Sequence, residues 1–190
     1  MTRTGMASLI LELRSLGQAG ISEFVLDTTT YWSDAQLQSM LDVWQTRNYK
    51  VPLEYITNSG VDYRLPIARI ERAGVDSGFA VLNSAGVVVS PTLYTVNYDA
   101  RVVTFTTAQN GAYYSLNYRS YTVSNAVADV WGIKASYYAD SVTWASDNHR
   151  VELGELHENA LAMESKFAEL SNAISYSRRF RTDEVNWYEN

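Results

Sequence analysis

Read for the spacing of its apolar residues, the chain changes period twice. Met6, Leu9, Leu13 and Leu16 recur at intervals of three and four, which predicts a short amphipathic helix ending near Gly17 or Gly20. A second helix is predicted from "YWSDAQLQSMLDVWQ". Ser33 is its N-cap, and Gln36, three residues on, completes a capping box. Trp32 and Leu37 take the positions of a hydrophobic staple, and Leu37, Met40, Leu41 and Trp44 share one face. From Tyr49 to Thr122 the period is two. "VDYRLPIARIERA" and "GFAVLNSAGVVVS" read as strands, the second folded about Asn83, Ser84 and Gly86. "LYTVNYDARVVTFTT" reads as a hairpin turning near Asp99 and Ala100. The turn signal Asn110–Gly111 then leads into "AYYSLNYRSY", where Tyr114, Leu116 and Tyr118 share one face and Tyr113, Asn117 and Arg119 the other. Five or six antiparallel strands are expected, with Pro52, Pro66 and Pro91 at edges or strand ends.

Helical spacing resumes in "SNAVADVWGIKASYYADSV", with Val127, Trp131, Tyr138 and Val142 on one side. Leu153, Leu156, Ala160, Met163, Phe167, Leu170 and Ile174 then form a heptad stripe suited to shallow-angle helix packing. Glu155, Glu158, Glu164 and Glu169 fall off that stripe and are expected to face solvent or a neighbouring subunit. Beyond Ile174, "SYSRRFRTDEVNWYEN" has no core-forming period and reads as an extended tail. The expected fold class is α+β: a helical bundle of about four helices from both chain ends, interrupted by an antiparallel β subdomain. The divisions are 1–48 and 123–175 for the bundle, 49–122 for the β insertion and 176–190 for the tail.

Composition narrows the function classes. Of 190 residues 46% are hydrophobic and 19% charged, enough for a sizeable core. No apolar run approaches the roughly 18 residues of a membrane span, and Glu12 and Arg14 break the pattern of a signal peptide. Cys is absent, so there is no thiolate metal site or disulfide framework. That usage fits folding in a reducing cytoplasm. A net charge of −6 argues against a general nucleic-acid binder. Fourteen Tyr and five Trp favour strands and large interfaces.

Candidate chemistry concentrates between Tyr137 and Met163, where Asp147, Asn148 and His149 precede His157 and Glu158. A metal site is the sharp reading. His157–Glu158 opens like H-E-x-x-H, but the second ligand position is Leu161, so the motif fails. The competing reading makes His149 part of a turn and His157 a helix-surface residue. No nucleophile elbow or phosphate loop occurs. Asp27 and Asp34 could pair, yet Asp34 suits the first helical turn. These readings predict no enzyme, no cofactor and no metal. Arg178, Arg179 and Arg181 surround Phe180, and Trp187 and Tyr188 follow, a set suited to a protein partner. The neighbouring Asp183, Glu184 and Glu189 offset a nucleic-acid reading.

The segment Asp129–Met163 resembles the C-terminal helix–loop–helix of head–tail connector proteins of tailed bacteriophages. Trp131, Lys134 and Ala135, the Tyr–Tyr–Ala–Asp run, and the turn Asp147, Asn148 and His149 carry the likeness. The early helix with Trp32, Ser33 and Gln36 is similar to that family's as well, and the hairpin "YTVNYDARVVTF" resembles sheet insertions of some neck proteins. About half the chain is covered, and the long β region departs from compact, nearly all-helical members. The resemblance implies a structural virion protein: a homo-oligomeric ring, often a 12-mer, under the portal protein. Such a ring extends the DNA channel without sequence-specific binding and docks the tail or next neck protein. The implied location is the virion neck after synthesis in the host cytoplasm, with no membrane partner. The tail would reach the portal or a neighbouring subunit. A stopper or tail terminator is the alternative within that class, and a carbohydrate-binding or adhesion module is the alternative from another.

Overall fold

The computed structural model describes residues 2–57, 59–67, 69–74, 76–141 and 153–183. The elements run α1 (Ala7–Leu16), β1 (Phe24–Leu26), β2 (Thr29–Tyr31), α2 (Asp34–Val43), β3 (Gln45–Pro52), β4 (Glu54–Tyr55), β5 (Asp62–Arg64), β6 (Ala80–Asn83), β7 (Tyr94–Asn97), β8 (Val102–Phe105), β9 (Tyr114–Tyr121), α3 (Val123–Ser141) and α4 (Leu153–Asp183). The class is mixed α+β, and every strand pair is antiparallel. The chain divides into two compact units: Met1–Ile10 with Gln45–Tyr121, and Leu11–Trp44 with Thr122–Asn190.

The first unit holds seven strands among its described residues, more than the five or six expected: β3 begins at Gln45, inside the span expected to be helical, and β4 is too short to show a period of two, while of the expected strand 61–73 only Asp62–Arg64 forms β5. The seven form a sheet ordered β3-β9-β6 and another ordered β4-β5-β8-β7. Alternation along β9 sends Tyr114, Leu116 and Tyr118 to the core side, where Leu53, Tyr63, Val81, Val103 and Phe105 are also buried. The hairpin β7–β8 turns at Asp99–Ala100, as its alternation predicts. Asn110 and Gly111 take φ of 47° and 80°, the left-handed values that make Asn-Gly a turn signal. The fold-back after Asn83 is also present, but its second arm contributes only the bridge Leu82–Val88.

In the second unit the Ser33–Gln36 capping box starts α2, with Leu37 and Leu41 fully buried. Trp44 departs from the expected face. It is 36% exposed, and its indole Nε1 donates to Asp129 of α3 at 2.6 Å. The hairpin β1–β2 corrects the expectation of helices alone before residue 49. Its strands are three residues each, and its turn uses Asp27 and Thr28 at φ 46° and 67° without a glycine. Such an element leaves almost no periodic trace. Helix α4 continues to Asp183, so residues 176–183, expected as extended tail, are helical. Arginine is a good helix former, and cations near a helix C-terminus complement the macrodipole. Of the heptad stripe, Ala160 and Phe167 are buried while Leu156 and Leu170 are 43% and 47% exposed. Glu164, expected to face outward, lies against Gly132, where a Cβ would stand 3.3 Å from its carboxylate.

Candidate functional site

Trp32 is fully buried at the entry to α2, beside the Ser33 cap. Its ring meets Phe24 and Tyr31 at centroid distances of 5.8 and 4.7 Å, and Phe24 stacks on Tyr137 at 4.3 Å. Gln36 closes the cap by accepting from the Ser33 amide at 2.7 Å and donating to the Thr30 carbonyl at 3.0 Å. One amide side chain thus locks the β1–β2 hairpin to the helix.

Trp131 and Lys134 lie one turn apart on α3. Lys134 is 2% exposed. Its ammonium donates to the Gln18 carbonyl at 2.7 Å and to the Glu23 carboxylate at 2.8 Å, and sits 5.1 Å from the Trp131 ring centroid. A buried cation so compensated fixes the loop after α1 to α3. Around it opens a pocket of about 440 Å³, lined by Glu23, Trp131, Lys134, Tyr138, Asn159 and Met163 among others. The Tyr138 phenol is held above its ordinary pKa by burial first, then by the nearby Glu23 charge and Tyr137. It stays a neutral hydroxyl at physiological pH.

His157 is a correction to the surface reading. It is partly buried, and its Nδ1 donates to the Ala135 carbonyl at 2.9 Å, tying α4 to α3. No group of three or more metal-ligating side chains assembles among the described residues. Asp147, Asn148 and His149 lie outside the described residues, as do Trp187 and Tyr188. Arg178, Arg179, Phe180 and Arg181 fall within the last turns of α4. Asp34 sits in the first turn of α2, as its position in the sequence suggests, and pairs with Arg14 at 2.7 Å.

The first unit holds a cluster that pattern reading missed. The carboxylate of Glu71 is fully buried. It accepts from Arg3 Nε at 2.6 Å, the Tyr121 hydroxyl at 2.9 Å and Arg119 at 3.3 Å. The Arg72 amide donates to the Gly5 carbonyl at 3.1 Å, so residues 3–5 are sewn onto the sheet. The only sequence signal is an acid directly after Ile70 in a run read as a strand. The sheet aromatics mostly face inward: Tyr63, Tyr94, Phe105 and Tyr118 are buried, and Tyr49 and Tyr113 are the exposed exceptions. Among the described residues, no helix is long and apolar enough to cross a membrane. Comparison with family models, curated proteins and solved structures returned no match.

Proposed function

We propose that this chain is a structural virion protein of a tailed bacteriophage, a head–tail adaptor that forms a homo-oligomeric ring beneath the portal. In this reading the helices from both chain ends make one bundle and the β region is an insertion within it. The ring extends the DNA channel and presents the docking surface for the tail or next neck protein. Arg178, Arg179, Phe180, Arg181, Trp187 and Tyr188 reach the portal or a neighbouring subunit.

The observation that carries the reading is the use to which the signature residues are put. Trp32, Ser33, Gln36, Trp131 and Lys134 cap, stack or pair inside the helical unit. Their work is to hold a rigid shape, as an assembly protein requires. The exposed Leu156, Leu161 and Leu170 on α4 leave apolar contact surface for another chain. The test is to mix the purified protein with portal rings and image the product. A ring of this chain on the portal is the expected result. Portal rings that stay bare, together with particles that complete their tails when the gene is deleted, would sink the proposal.

A further inference from the structure

The net charge of −6 conceals a segregation by unit. The unit of Met1–Ile10 and Gln45–Tyr121 holds eight Lys and Arg against five Asp and Glu, a net of +3. The other unit holds seven against sixteen, a net of −9. Within the basic unit, Glu71 is buried and already held by Arg3 and Arg119. Glu54 and Asp99 each lie 3.6 Å from an arginine of the same unit.

The basic excess has a place. The sheet β3-β9-β6 has no acidic residue in any of its three strands. Its edge strand β3 carries Arg47, Tyr49 and Lys50, all exposed, with Tyr49 at 67%. Strand addition is blocked at this edge. A bulge falls between Asn48 and Val51, Lys50 has φ 52°, and Pro52 lacks an amide hydrogen. What β3 offers a partner is therefore side chains: two cations flanking an exposed aromatic anchor.

The complementary surface lies on α4. Glu155, Glu158, Ala162, Ser165 and Glu169 follow spacings of three and four, and all are exposed. They line the side of the helix away from the buried Ala160 and Phe167. The stripe runs about 21 Å along the axis; Arg47 and Lys50, three residues apart in β3, are about 10 Å apart along the backbone, and their long side chains extend that reach at both ends.

We propose that β3 of one copy docks on the outward face of α4 of a second copy. Arg47 and Lys50 meet Glu155, Glu158 and Glu169, and the small Ala162 leaves room for the Tyr49 ring. The two surfaces differ, so the contact is heterologous and propagates head to tail until the rotation closes it. Duplex DNA is the other occupant a basic strand suits, but two cations are few beside the roughly 6–10 phosphate contacts of a DNA-binding protein. This contact deepens the ring reading given above and would be its subunit interface, yet it is testable without portal.

The experiment is sedimentation equilibrium of the full chain up to millimolar concentration at low salt. Association beyond monomer is expected, and it weakens at about 1 M salt, where the Debye length falls to about 3 Å. The variants Arg47→Glu/Lys50→Glu and Glu155→Lys/Glu158→Lys/Glu169→Lys should each associate about tenfold or more weakly. An equimolar mixture of the two restores association, because each reversed surface finds a reversed partner. Circular dichroism matching the wild type separates loss of contact from loss of fold. A monomeric wild type, variants that associate undiminished, or a mixture that stays monomeric overturns the contact. So does duplex DNA retained through Arg47 and Lys50 without self-association. If the mixture associates but portal rings stay bare, the neck reading fails and this contact stands.

Discussion

Replacing Glu71 by Gln tests whether the buried carboxylate holds the first unit together. The substitution keeps size and removes the charge, so Arg3 and Arg119 lose the anion they share, and the Tyr121 hydroxyl loses its charged acceptor. Breaking a buried pair by deleting one partner costs about 3–5 kcal/mol. Both arginine side chains are about one-fifth exposed and can recruit water, which places the cost near the lower bound, about 3 kcal/mol. With a urea slope of about 2 kcal/mol/M the midpoint falls by roughly 1.5 M. The two units carry separate probes. All five tryptophans lie in the second unit, whereas nine of the fourteen tyrosines lie in the first. Near-ultraviolet circular dichroism of tyrosine should shift with the variant, and tryptophan emission should shift less. Arg3→Ala should cost only about 1–2 kcal/mol, because Glu71 keeps two of its partners. A Glu71→Gln protein within about 0.5 kcal/mol of wild type would show that the cluster is solvated and refute the reasoning.

Four further outcomes follow from the geometry. Gly5→Ala should release residues 3–5 from the sheet, because the added Cβ overlaps the Arg72 carbonyl; limited proteolysis before residue 10 should accelerate. Ser33→Ala should lower stability by about 1 kcal/mol through loss of the cap, read by tryptophan emission during denaturation. Lys134→Met leaves Glu23 without its cation and the Gln18 carbonyl without its donor. A loss of about 2 kcal/mol is expected, with altered Trp131 emission. Burial raises the pKa of Tyr63, Tyr94 and Tyr98, each more than any other cause. Since the folded values lie above the unfolded value of 10.0, their contribution to stability is full below that pH. It is lost as pH rises through the raised values, so spectrophotometric titration should show a late-ionising tyrosine class coincident with alkaline unfolding.

Local rules written into short windows were legible in the sequence. The Ser33–Gln36 box, the Asn110–Gly111 turn, the β7–β8 hairpin and the inward face of β9 depend on neighbours a few residues apart. What escaped depends on distant partners. Glu71 meets Arg3 across 68 residues, and Lys134 meets Glu23 across 111. A buried charge looks like a surface charge until its partner arrives. The β1–β2 hairpin was illegible for another reason: three-residue strands and a glycine-free turn carry almost no pattern. The apolar spacing of α4 was legible, but which of its leucines would be covered was not, since the same period serves a core seam and an intermolecular one.

The sewing of residues 3–5 onto β9 has a consequence for how the chain is made. Arg3 lies 118 residues before Tyr121, whose hydroxyl it contacts. On a ribosome adding about 5–20 residues per second, roughly 6–24 s pass before that partner is synthesised. During the wait, residues 11–44 emerge without α3, the helix that Trp44 and Glu23 later grip. Neither unit can finish from its own first half, because each is threaded through the other's interval in the sequence. Translation speed between Gln45 and Tyr121 therefore sets how long both halves stay open, and the β unit is the first that can close.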